Sequence, residues 1–259
     1  VLSLWYVAII VTEFPWVFAL VSLVLLVWGF RAKRFRVANT TLALASCVIY
    51  LLPAVQAMQL STRLDKELGN AFGTGLSTND SRSFSFLRMF STPVEEEPFK
   101  VRQYDTANKL TLDYYPAHGE GHHPCVVVIH GGSWKGGDSR QLPELNSVLA
   151  KKGYSVAAIN YRKAPECQSP SQLEDVRHAM EYLRTNAAML DIDTSKFVML
   201  GRSAGGQIAL LAAYTFKDMG IKGVISYYGP AEMIWGYKNP AVVYNSCKVL
   251  EDYIGGTYD

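Results

Sequence analysis

The chain has 259 residues, 49% of them hydrophobic and 19% charged, and Lys plus Arg exceed Asp plus Glu by only 25 − 23 = 2. That balance offers no basic excess for a nucleic acid, and the apolar and aromatic content excludes a disordered chain. Four cysteines in this length exclude a disulfide scaffold.

The N-terminal part is strongly apolar. Residues 14–30 read FPWVFALVSLVLLVWGF without a charge, RAKRFR follows, and residues 37–60 are apolar again. A spanning helix needs about 20 apolar residues, and lipid forces such a segment to be helical because its backbone groups find no water. Transmembrane helices are expected at about 14–30 and 38–60. Residues 1–11 are apolar too, and Thr12, Glu13 and Pro15 mark a helix start. Residues 1–11 are therefore either the tail of an earlier span or the start of one long tilted helix. A turn at this point sets Glu13 at the interface rather than in mid-membrane. A signal peptide would carry its charges before the apolar run, whereas here Arg31, Lys33, Arg34 and Arg36 lie between two such runs. By the positive-inside rule that loop is cytoplasmic, and the chain beyond Leu60 is expected on the extracytoplasmic side.

Residues 61–97 read as a connector. Gly69, Gly73, Gly75 and the run 77–81 suggest loop, and Asn79-Asp80-Ser81 matches a glycosylation acceptor. Residues 99–104 and 110–115 alternate apolar and polar, as half-buried strands do. The continuous run CVVVI at 125–129 reads as a strand buried on both faces. A helix over 142–152 and a strand over 155–160 follow. Ser169 caps a helix with Pro170 in its first turn and Gln172 three residues on, and Leu173, Val176, Met180 and Leu183 share one face. A strand over 197–200, a helix over 204–214 and a strand over 223–228 complete the alternation. It predicts right-handed crossovers and a parallel sheet covered on both faces.

Gly201-Arg202-Ser203-Ala204-Gly205 is a G-x-S-x-G between a strand and a helix. A serine on such a turn projects its hydroxyl above the sheet, while flanking glycines admit neighbouring chain without a clash. The helix N-terminus adds partial positive charge for a developing oxyanion. His130-Gly131-Gly132-Ser133-Trp134 follows the buried strand and offers glycine N–H groups to the same oxyanion. His130 is read as orienting this loop rather than as a base, Asp138 as bonding backbone within it, and Trp134 as packing. His118, His122 and His123 crowd one loop, which is either a solvated turn or a metal site. His178 is expected on the surface, and Cys125 as inert core. Cys167 and Cys247 could pair if the domain is extracytoplasmic, which spacing alone does not show. Tyr227 and Tyr228 line an acyl pocket or pack in the core.

HGGSW (130–134), NYR (160–162) with Ala164 and Pro165, DVRHAMEYLRTNA (175–187), GRSAGG (201–206) and YYGP (227–230) stand in the order and spacing of α/β-hydrolases. Over about residues 98–259 the chain resembles the hormone-sensitive-lipase-like and formamidase-like esterase branch. The resemblance implies an α/β-hydrolase fold with a mostly parallel sheet, preceded here by two or three transmembrane helices. It implies that Ser203 attacks an ester carbonyl, and that Gly131, Gly132 and Ala204 form the oxyanion hole. No cofactor or metal is implied. The implied partner is a small acyl ester, with an aryl formamide as the alternative. Ser133 replaces a glycine of many lipase-like members, and Arg202 an aspartate of some, which moves the chain toward the formamidase-like side. In this branch a cap often covers the site, and Leu87, Met89 and Phe90 are candidates for it.

The largest departure is that no histidine follows Ser203. The family order is Ser, then Asp or Glu, then His. Its acid and histidine stand on strands expected beyond residue 259. The sequence thus reads as an incomplete catalytic domain over 98–259, inactive alone. The competing class is a tethered hydrolase-like domain that binds without catalysis.

Overall fold

The computed structural model describes residues 7–8, 10–11, 14–31, 35–73, 95–240 and 245–257. The chain divides into two compact units, Val1–Thr92 and Pro93–Asp259.

The first unit contains α1 (Pro15–Arg31) and α2 (Arg36–Phe72). Pro15 opens α1 at the position where its missing N–H costs nothing. The two helices pack on each other, with the Phe18 and Tyr50 rings 5.4 Å apart and the Cys47 thiol 3.8 Å from the Ala19 carbonyl. Most of their apolar side chains face outward, Trp28 to 70% of its surface. Among the described residues, α2 is the one helix long and apolar enough to cross a membrane; α1 is apolar but has 17 residues. α2 runs on through Pro53 and Gly69 to Phe72, so the first residues of the expected 61–97 connector are helical and Gly69 lies in helix rather than loop. Helix formers follow Leu60, and Arg63 pairs with Glu67 one turn on at 2.7 Å. A single glycine, which costs a helix about 1 kcal/mol, does not break such a run. Glu13, the 79–81 acceptor and Leu87, Met89 and Phe90 lie outside the described residues.

The second unit is a six-stranded mixed sheet in the order β1-β2-β4-β3-β5-β6. Its strands are β1 (Lys100–Asp105), β2 (Leu110–Tyr115), β3 (His123–Ile129), β4 (Ser155–Ile159), β5 (Ile192–Arg202) and β6 (Ile221–Tyr227). β1 and β2 run antiparallel, β2 joins β4 antiparallel, and the β4-β3-β5-β6 ladder is parallel. Helices α3 (Pro143–Lys151), α4 (Ser171–Thr185) and α5 (Ala204–Thr215) make the crossovers, and α6 (Met233–Lys238) and α7 (Ser246–Ile254) follow β6. CVVVI is apolar throughout because its strand is covered twice. Val126 and Val128 pack with Leu145, Leu149 and Ala150 of α3. Cys125, Val127 and Ile129 face Val176 and Met180 of α4 and Ile208 and Ala209 of α5.

The start of α4 differs from the capping pattern. Ser169 is not the cap; Pro170 holds that place without a side-chain bond. The Ser169 N–H is turned to the Tyr253 carbonyl at 2.8 Å instead, and the Gln172 amide folds back onto the Cys167 carbonyl at 2.6 Å. Cys167 and Cys247 are free thiols.

Candidate active site

β3 and β5 are neighbours whose following helices leave to opposite faces of the sheet. The crevice beyond their C-terminal ends is where open α/β sheets place ligands. β5 ends at Arg202, α5 begins at Ala204, and Ser203 alone makes the turn. Its backbone is at φ 51°, ψ −122°, a conformation that non-glycine residues rarely adopt. The turn is held from several sides. The Ser203 N–H donates to the Tyr227 carbonyl at 2.9 Å, and its own carbonyl accepts from Gly206 N–H at 2.9 Å and Gln207 N–H at 3.2 Å.

The glycines of the motif are there for want of space. A Cβ on Gly201 would stand 2.0 Å from the Gly205 carbonyl oxygen, and one on Gly205 would stand 2.2 Å from that of Ile129. The first turn of α5 thus lies directly on the end of β3, which brings the HGGSW loop to the serine. A Cβ on Gly131 would stand 3.3 Å from the Ser203 Cβ and 2.9 Å from the Arg202 oxygen.

That loop is fixed by side chains. The N–H of Gly131 was expected to face an oxyanion, but it donates to Gln141 Oε1 at 2.8 Å. Gln141 in turn accepts Arg202 Nη1 on its carbonyl at 3.0 Å. Arg202 is buried, and its Nη2 finds no partner among the described residues. The N–H groups of Gly132 and Ala204 carry no hydrogen bond among the described residues. Gly132 is at φ 124°, and a Cβ there would stand 2.3 Å from the Gly136 oxygen.

His130 is fully buried at the root of the loop. Its Nδ1 lies 2.7 Å from the Gly131 carbonyl oxygen and its Nε2 2.7 Å from Lys163 Nζ. It stacks on Tyr161 at 4.3 Å, and the Tyr161 hydroxyl donates to the His130 carbonyl at 3.1 Å. Burial, with the Lys163 ammonium beside it, pushes the imidazole down to about 4. A histidine so engaged has neither ring nitrogen free to take a proton. Asp138 accepts the Arg140 N–H at 2.9 Å inside the loop. Trp134 is buried, stacks on Tyr253 at 4.3 Å, and donates its indole N–H to Gln207 Oε1 at 3.1 Å. Gln141, Lys163 and Gln207 had no signal in the sequence. Each is a common polar residue whose partner lies on another element.

The remaining candidates lie elsewhere. Tyr227 and Tyr228 are 44% and 75% exposed, so neither packs in the core. His118 bonds Glu97 at 2.9 Å and His123 the Gly153 carbonyl at 3.1 Å, and among the described residues the histidine loop forms no ligand cluster. The ligand atoms that do converge, within 4.8 Å of one another, are those of Asp105, Asp175 and the exposed His178. There the Asp175 carboxylate is already occupied by Arg162, through its N–H at 2.7 Å and its Nε at 2.8 Å. Asp252, on α7, pairs with Lys135 at 2.6 Å and Lys248 at 2.7 Å.

A mixed sheet with a strained serine turn between a central parallel strand and its helix defines an α/β-hydrolase. Within that class the chain belongs to the BD-FAE family, whose pattern matches residues 112–257. It is 28% identical over 239 residues to "Probable carboxylic ester hydrolase LipM" of Mycobacterium tuberculosis, a match covering 83% of this chain and 54% of that one. It is 31% identical over 141 residues to "Carboxylesterase NlhH" of the same organism, covering 52% of this chain and 44% of that one. The chain thus spans about half the length of these relatives. The structure of "Bacterial Heroin Esterase" shares the fold, with a TM-score of 0.56 at 21% identity, over 67% of this chain and 60% of that one.

Proposed function

We propose that this chain belongs to a membrane-anchored serine hydrolase that cleaves carboxylic esters through an acyl-enzyme on Ser203. What carries the reading is the strained turn that sets Ser203 against the Gly131–Gly132 loop. A binding module has no chemical need for a nucleophile turn and an oxyanion loop brought together.

In this reading the Ser203 oxygen attacks the ester carbonyl carbon while a base takes its proton. The oxygen of the tetrahedral intermediate receives hydrogen bonds from the N–H groups of Gly132 and Ala204, at the positive end of α5. Gly131 serves as the small residue that lets the loop close on Ser203. The alcohol leaves with the transferred proton, and water then hydrolyses the ester of Ser203. His130 is engaged at both ring nitrogens and so is not that base, and no histidine follows Ser203. The outward apolar faces of α1 and α2 fit a lipid surround, and the basic run between them supports a second unit outside the cytoplasm. The domain limits proposed are 1–60 membrane, 61–97 connector and 98–259 hydrolase, with the helical part of the connector reaching Phe72.

The test uses protein made from the complete coding sequence. A fluorophosphonate probe is expected to label it, and Ser203→Ala is expected to abolish both labelling and ester hydrolysis. Hydrolysis that survives in Ser203→Ala overturns the reading.

A further inference from the structure

The backbone of Gly131 is gripped at both ends by side chains, its N–H by Gln141 and its carbonyl by His130. The carbonyl matters more. Gly131 C=O and Gly132 N–H belong to one planar trans peptide unit, so holding the oxygen fixes the direction of that N–H. A carbonyl oxygen only accepts, so His130 Nδ1 must carry the proton in the 2.7 Å bond to it. His130 Nε2 is then a lone pair, and Lys163 Nζ donates to it at 2.7 Å.

We propose that Lys163 is a positioning residue for catalysis, acting through His130 to hold the Gly131–Gly132 peptide with its N–H aimed at the oxyanion. Without the ammonium, nothing on the described residues prevents the imidazole from carrying its proton on Nε2. The Nδ1 lone pair would then face the Gly131 oxygen lone pairs and turn the peptide away. Lys163 is itself confined, its Nζ lying 3.9 Å from the centre of the Tyr161 ring on which His130 stacks. The groups that set its charge are Asp138 of the loop and Asp175 of α4, which favour the ammonium, and burial, which opposes it and brings it down to about 8. Arg202, at the end of β5, adds to the positive field on His130. The cation is therefore present below about pH 8 and lost above it.

This inference rests on the proposed function, and its test separates the two. The complete protein is compared with Lys163→Met, Lys163→Arg and Ser203→Ala on a soluble p-nitrophenyl ester. Losing one oxyanion donor costs about 100- to 1000-fold in kcat, so loosening one is expected to cost about 10- to 100-fold. That loss should fall on kcat with KM within about twofold, Lys163→Arg should recover most of it, and the decline of kcat near pH 8 should vanish in Lys163→Met. Ser203-dependent hydrolysis with an unchanged kcat in Lys163→Met overturns this inference alone; hydrolysis independent of Ser203 overturns the proposed function. Nitrogen-15 spectra of His130 in the unsubstituted protein give a readout that needs no variant. The Nδ1–H tautomer at pH 7 is expected, and the Nε2–H tautomer would sink the proposal.

Discussion

At the scale of single residues, the site is made by atoms that are missing. Gly205 has the Ile129 oxygen 2.2 Å from where a Cβ would be, and that oxygen is backbone, which cannot swing aside. Gly205→Ala is expected to destabilise the fold by about 3 kcal/mol, read as a lower midpoint in urea unfolding. His130 makes a separate prediction. Its pKa is lowered to about 4 in the folded chain, so between pH 6.5 and 4 the unfolded chain binds the extra proton. The contribution of His130 to stability therefore falls as pH drops through that window and levels off below it, by about 3 kcal/mol. Urea titrations of the unsubstituted protein and of His130→Asn at pH 7, 5.5 and 4 check this. The asparagine variant should lose most of the slope.

At the scale of elements, the exit of β4 is locked to α4 by charge. Asp175 is buried and holds both the Arg162 N–H and its guanidinium. Asp175→Asn would turn an amide donor toward those donors and leave the guanidinium only its more exposed charge partner, Glu174, at 3.1 Å. A loss of about 3 kcal/mol in chemical unfolding is expected. The elements themselves were largely legible in the sequence. CVVVI, the periodic face of α4 and the G-x-S-x-G turn each follow from a local pattern with a local cause. The Ser169 cap and the loop at Gly69 read wrongly, because a backbone bond to Tyr253 and a run of helix formers overrode the local signal. The site was legible as a motif but not as a network. Gln141 and Lys163 act across 10 and 33 positions of chain, and no spacing rule reaches that far.

At the scale of the molecule, the proposed topology can be read from its thiols. Cys167 and Cys247 are free and half-buried, while Cys125 is sealed in the core. A membrane-impermeant maleimide applied to intact cells is expected to label Cys167 or Cys247. Labelling only after permeabilisation would put the second unit on the cytoplasmic side. β6 has a consequence of its own. Among the described residues it pairs with β5 alone, and Ile225 and Tyr227 on it are 43% and 44% exposed. Its outer amides and carbonyls have no strand partner among the described residues, an edge to which a further strand can add. With α1 and α2 covered by detergent, edge-to-edge association of the chain is therefore expected to grow with its concentration, and Ile225→Lys is expected to reduce it, read by light scattering.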